Sequence, residues 1–203
     1  MLNLIYRTPR VGLVAPGLLA LVTVCGTTAA PVSASIISVS GFEGPYDPTN
    51  WTLINENADG FVDTTDAPNS ITLTGGDDGS FSLGSTSFVI SAPADGTVAF
   101  DYDYSSFNVD GPFFDPFGIV VDEIFTQLTD NFGPDDQSGS FSFDVEQGDS
   151  FGFAVQTVDN LLGPASATIS SFEAPAPVPE PTTVLGLLGV SGLGLVLQRK
   201  KCA

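Results

Sequence analysis

Between Thr97 and Tyr104 the side chains alternate: Val98, Phe100, Tyr102 and Tyr104 fall on one side, Ala99, Asp101 and Asp103 on the other. Phe141, Phe143 and Val145 oppose Ser140, Ser142 and Asp144 in the same way, and Phe151, Phe153 and Val155 oppose Gly152, Ala154 and Gln156. A strand points successive side chains to opposite faces, so each stretch reads as an antiparallel strand with one dry and one wet face. Shorter segments of the same kind are Ile36–Ser40, Trp51–Ile54, Ile71–Thr74, Ser87–Ser91, Phe117–Val121, Ile124–Thr129 and Ala167–Phe172. No stretch before residue 182 repeats its apolar residues at helical spacing. About ten short strands separated by Gly- and Asp-rich turns predict an all-β fold, an antiparallel β-sandwich of the jelly-roll-like kind. Asp95-Gly96 and Gln147-Gly148-Asp149 read as the turns of two hairpins, because Gly supplies the positive φ that a tight reversal needs.

Residues 35–173 are enough for one domain with a real core. They hold all 16 Phe and none of the five Lys and Arg, the chain has no His, and of its 24 acids only Glu180 lies outside them, so their formal charge is −23. Binding to nucleic acid, which needs cations to displace counterions from phosphate, is excluded. So are a His- or Lys-based catalytic triad, a Schiff base and an Arg clamp. Only carboxylates remain for catalysis. The acids read as a soluble, non-sticking surface or as ligands for hard cations such as Ca²⁺.

Both ends of the chain read as addresses. Arg7 and Arg10, the apolar stretch Val11–Val24 and the small residues Val32-Ser33-Ala34 fit a secretory signal peptide over residues 1–34, cut by signal peptidase between Ala34 and Ser35. Ala30 is the less favoured cut, since Pro31 would follow it. Cys25 leaves with that segment and Cys202 lies beyond the far basic cluster, so the exported part has no cysteine and no disulfide framework. At the other end, residues 174–181 form a Pro-rich linker. Residues 182–203 follow as an uncharged apolar run to Leu197 and a basic tail, Arg199, Lys200 and Lys201. As a helix at about 1.5 Å per residue the apolar run spans ~24 Å, the lower margin for a single transmembrane helix. The trailing cations place the tail on the cytoplasmic side.

The order Val178, Pro179, Glu180, Pro181, then a short Gly-rich apolar run, then Arg and Lys closely resembles the PEP-CTERM sorting signal of exopolysaccharide-producing Gram-negative bacteria. The resemblance covers the end of the chain only. It implies export across the inner membrane and transient anchoring by the C-terminal helix. It further implies processing near Val178–Pro181 by a membrane transpeptidase of the exosortase type, and arrival at the cell surface or extracellular matrix. Residues 50–76, and residues 115–133 with 138–157, resemble more loosely the small β-rich domains found beside such anchors, which supports the fold and not a reaction.

The most specific constellation inside the domain is Asn55, Asn57, Asp59, Gly60, the Phe61 carbonyl, Asp63 and Asp66. The spacing matches a calcium loop, with oxygens at alternate positions, Gly at the sharp turn and a carboxylate at the twelfth position. It departs in having Asn55 for the usual first Asp, Asp66 for the longer Glu, and strands instead of helices on both sides. The other reading is an Asn/Asp/Gly turn whose side chains bond their own backbone. Asp101 and Asp103 project from one face about 7 Å apart, a separation compatible with glycoside hydrolysis. With so many acids, such a pair also arises by chance. The loop Ser105–Gly118 carries Phe107, Phe113, Phe114 and Phe117, read as a plug for one end of the core or as a sugar platform. Trp51 reads as core.

These features point to a non-enzymatic β-sandwich with a structural or adhesive role in the extracellular matrix. The alternatives are a carbohydrate-binding module for exopolysaccharide and a carboxylate-dependent glycan hydrolase.

Overall fold

A computed structural model describes residues 36–177, and the alternation is realised there as eleven strands. They are β1 (Ile36–Ser40), β2 (Thr52–Glu56), β3 (Phe61–Asp63), β4 (Ser70–Thr74), β5 (Gly84–Ser91) and β6 (Gly96–Ser106), followed by β7 (Phe117–Val121), β8 (Ile124–Gln127), β9 (Asp136–Val145), β10 (Ser150–Thr157) and β11 (Ala165–Pro177). The only helical pieces among the described residues are three single 3-10 turns. The first sheet has the order β3-β4-β11-β6-β9, with β1 beside the far half of β11; the second has the order β2-β5-β10-β7-β8. Every pairing is antiparallel, and the two sheets form the expected jelly-roll-like sandwich.

The inward side chains of the two sheets make one core. Ile71, Leu73, Val98, Phe100, Tyr104, Ile169 and Phe172 from the first sheet meet Phe88, Ile90, Phe117, Ile119, Phe151, Phe153 and Val155 from the second, all of them buried. Each such side chain contributes about 1.5–3 kcal/mol on leaving water. Trp51 is core, stacked on Phe88 at 5.1 Å and Phe153 at 5.8 Å. Its indole N–H donates to the Tyr46 carbonyl (3.0 Å), and the Tyr46 hydroxyl donates to the Pro175 carbonyl (2.6 Å), so the two rings are fixed at the end where β11 finishes.

On β11 the buried set changes parity along the strand. Ala165, Ala167 and Ile169 face inward before Ser170, and Phe172, Ala174 and Ala176 after it. The pairing with β6 slips by one residue between Ser170 and Glu173, and Ser171 adopts φ 50°. This β-bulge lets one long strand keep its apolar residues inside along two differently phased halves.

Three local expectations change. Asp95-Gly96 and Gln147-Gly148-Asp149 are not hairpin turns. β5 and β6 lie in different sheets, as do β9 and β10, so both turns are corners where the chain passes between layers. The two corners are stitched together: Ala92 N–H donates to the Asp149 carbonyl (2.8 Å), Gly148 N–H to the Ala92 carbonyl (2.9 Å), and Gln147 N–H to the Asp95 carboxylate (2.6 Å). Secondly, Ala174–Pro177, assigned above to the Pro-rich linker, are the last four residues of β11, where Pro177 pairs with Ile36 and Ala174 with Val39. Thirdly, β3 lies inside the segment read as a calcium loop. The signal peptide with its Ala34/Ser35 cut, the sorting residues Val178–Pro181 and the apolar run from Thr182 lie outside the described residues. Among the described residues no helix is long and apolar enough to cross a membrane.

Candidate functional site

The six calcium candidates do not form one loop. Asn55 lies on β2 in the second sheet, Phe61 and Asp63 lie on β3 in the first, and the chain between them crosses from layer to layer. The Asn55 amide donates to the Gly60 carbonyl (2.8 Å), the Asp59 carboxylate accepts from Asp77 N–H (2.8 Å), and that of Asp63 accepts from Thr65 N–H (2.9 Å). The Thr65 bond holds the Asp63 carboxyl below its ordinary pKa. Asn57, at φ 46°, gives its carbonyl to the buried Asn160 amide (2.7 Å), and the Asp66 carbonyl caps a turn ending at Asn69 (2.9 Å). The carboxylates of Asp59 and Asp63 and the carbonyls of Asn57 and Asp66 therefore accept hydrogen bonds from the chain itself. No group of three or more acids among the described residues is arranged to hold a metal.

Asp101 and Asp103 sit on the outer face of the first sheet, in a flat carpet of small polar side chains. Asp101 pairs across the strands with Ser140 and Ser170, Asp103 with Ser138 and Thr168. The Ser140 hydroxyl donates to Asp101, and with Ser171 it lowers that carboxyl's pKa, the opposite of what a general acid needs. In the loop Ser105–Gly118 only part of the expected plug is present: Phe117 is buried, while Phe107 and Phe113 are exposed.

Three polar residues of the loop are buried, Ser106, Asn108 and Asp115, and Asp115, 1% exposed, has neither carboxylate oxygen in hydrogen-bonding geometry. Burial raises its pKa to about 6, only partly offset by the Thr157 hydroxyl and the Asn108 amide, which stand beside the carboxyl without making a well-formed hydrogen bond, while the charges of Asp159 and Asp77 push it further up. No cation exists in residues 35–173 to pair with it. The carboxyl is thus held toward its neutral form by its surroundings.

Among the described residues, a concavity with apolar and hydroxyl side chains in its lining lies on the outer face of the second sheet. Strand register sets Thr52, Val89, Gly152, Val120 and Phe125 in one row across five strands, and Ile54, Ser87, Ala154, Gly118 and Gln127 in the next. Outward side chains around the centre of these rows, Val89, Val120 and Gln156 among them, line a groove of about 640 Å³, while Gly152 and Ala154 beneath them are buried. A Cβ on Gly152 would lie 2.1 Å from the Phe88 carbonyl oxygen, and one on Gly118 2.1 Å from that of Thr126, so these strands approach as they do only with glycine there. Val89, Val120 and Phe125 offer apolar surface; Ser85, Ser87, Ser150 and Gln156 offer hydroxyls and an amide. Glu56 stands toward one end and Asp122 and Glu123 toward the other.

Asp122 and Glu123 form the two-residue turn of the β7–β8 hairpin, both at positive φ (47° and 68°), where Asn-Gly is the unstrained choice. Asp122 is tied to β10 in both directions: its N–H donates to the Ser150 carbonyl (2.8 Å) and its carboxylate accepts from Ser150 N–H (3.0 Å). The groove was hidden from sequence reasoning because it belongs to register between strands distant in the chain. Its one local trace is Gly152 and Ala154 on the outward face of a strand, taken above for a simple wet face.

No curated protein matches the chain in sequence. Among solved structures it is similar to three carbohydrate-binding modules. A family 11 module from Clostridium thermocellum, in complex with a β-1,3-1,4-mixed-linked tetrasaccharide, has 12% identity over 70% of this chain and 96% of that one, with a TM-score of 0.41. A family 29 module has 10% identity over 70% and 90%, with a TM-score of 0.39. A family 35 module from Clostridium thermocellum has 12% identity over 67% and 98%, with a TM-score of 0.34. A family model described as the PEP-CTERM protein-sorting motif matches residues 177–201. The β-sandwich thus ends in a C-terminal PEP-CTERM sorting motif.

Proposed function

We propose that the chain is an exported, non-catalytic matrix protein whose sandwich adheres by holding a polysaccharide chain in the groove of the second sheet. The groove itself carries the reading. Its flanks are apolar at Val89, Val120 and Phe125, and Ser85, Ser87 and Gln156 set hydrogen-bonding groups along it. That combination suits sugar rings, which present apolar faces and hydroxyl edges at once. The acids of the first sheet lie on an open face, and Asp101 is kept ionised by its serine neighbours, so the pair Asp101 and Asp103 does not support the hydrolase reading. Adhesion and carbohydrate binding then describe one activity.

Delivery follows from the two ends of the chain. Signal peptidase frees Ser35, the C-terminal run holds the protein briefly in the inner membrane, and an exosortase-type transpeptidase cuts near Val178–Pro181. β1 and the end of β11 pair side by side, so the chain enters and leaves the sandwich at one edge.

Affinity electrophoresis in gels containing the producer's own exopolysaccharide tests the binding reading. The wild-type protein should be retarded. Ser87→Trp, which fills the groove beside Ala154, should lose about tenfold or more in affinity, and Ser166→Trp on the opposite sheet should leave it unchanged. Equal retardation of all three proteins, or none of the wild type, would overturn the reading.

A further inference from the structure

We propose that the polysaccharide held by this groove carries free amino groups and binds as a polycation; the inference rests on the glycan-binding reading above and narrows its ligand class. The carboxylates lie at the two ends of the groove. Glu56 is across β5 from Gln156, and Asp122 lies beside Ser150. Ser150 and Gln156 are six residues apart on β10, so the acidic ends are ~20 Å apart at about 3.3 Å per residue. Hydroxyls and apolar side chains fill the interval. A single long polymer lying along β10 therefore meets negative charge where it enters and where it leaves.

Charge sets which polymer this is. Glu56 and Glu123 are exposed, no Lys, Arg or His exists in residues 35–173 to balance them, and the whole domain stands at −23. A glycan bearing carboxylate, sulfate or phosphate would be repelled at both ends of the groove and by the field of the rest of the protein. A neutral glycan would gain only hydrogen bonds from its hydroxyls to the acids. An ammonium-bearing glycan gains charge attraction besides at both ends and is steered toward the domain before it docks.

The test is titration of the full chain, solubilised in detergent, with glucosamine oligomers, their N-acetylated counterparts and polylysine at fixed ionic strength. The glucosamine oligomers should bind at least about tenfold more tightly than the acetylated ones. The triple variant Glu56→Gln, Asp122→Asn, Glu123→Gln should remove that preference. Asp101→Asn with Asp103→Asn and Asp136→Asn, which removes equal charge from the opposite face, should preserve it. Loss of preference in both triple variants, or polylysine competing as well as the amino glycan in a manner insensitive to Ser87→Trp, would mean general adsorption to an acidic surface and would overturn the proposal. Equal binding of the free and acetylated oligomers, both abolished by Ser87→Trp, would overturn the amino class while leaving the glycan groove standing. Should neither oligomer bind and Ser87→Trp change nothing with the producer's polysaccharide, both readings fall together.

Discussion

Asp115 is the residue whose physical state depends most on the fold. A carboxyl whose pKa is pushed from an ordinary 3.8 to about 6 by folding binds its proton more tightly folded than unfolded. Its favourable contribution is present below the unfolded pKa and is lost as pH rises through 4 to 6. The cost of keeping it ionised at neutral pH is about 1–3 kcal/mol. Asp115→Asn should therefore raise the melting temperature at pH 7 and flatten its dependence between pH 4 and 6, measured against the wild type in the same buffers. General repulsion among the other acids weakens on acidification in both proteins, so only the difference between them reports on Asp115. Identical pH profiles would show that the carboxyl is solvated in the folded protein. Nothing in the sequence marks Asp115 among its acidic neighbours. Its burial follows from the pairing of residues 114–116 with Gln156–Val158, where Val158 N–H donates to the Phe114 carbonyl at 2.7 Å.

At the scale of elements, alternation is a local property and was readable in β6 and β9, which bury the faces that the sequence separates. By contrast β10, read as having one wet face, is buried on both faces from Phe151 to Val155 because it lies at the centre of its sheet. Which sheet a returning strand joins is not local. Asp95-Gly96 and Gln147-Gly148-Asp149 mark reversals correctly, yet the partner of each strand is chosen by core contacts far away in the chain. β3 has three residues, too few to alternate, and its Asn/Asp/Gly-rich surroundings resemble a metal loop. Because the Asp59 and Asp63 carboxylates already accept hydrogen bonds from the chain, the melting temperature should be the same in excess chelator and in Ca²⁺ at matched ionic strength. A Ca²⁺-specific rise lost in Asp59→Ala would contradict the turn reading. The bulge on β11 makes an independent prediction. Ser171→Gly suits φ 50° and should be neutral or slightly stabilising, whereas a β-branched Val there should cost about 1–3 kcal/mol, measured by denaturant unfolding.

The whole molecule joins a C-terminal sorting motif, and the N-terminal signal peptide proposed above, to one acidic sandwich. Its maturation is checked by intact mass from cells that carry the exosortase: the mature chain should begin at Ser35 and end between Val178 and Pro181, and retention of Cys202 would contradict the processing scheme. The sorting signal was legible because it is a contiguous string. The groove was not, because it is made by the lateral register of β2, β5, β10 and β7, strands distant from one another in the chain. Its occupation by glycan is tested most directly by amide chemical-shift mapping of the isotope-labelled protein during titration with the producer's exopolysaccharide. The account predicts that the largest shifts fall on Ser85–Val89, Ser150–Gln156 and Val120–Phe125. Shifts confined to the open face of the first sheet, or to the exposed aromatic loops around Phe107 and Phe132, would contradict it.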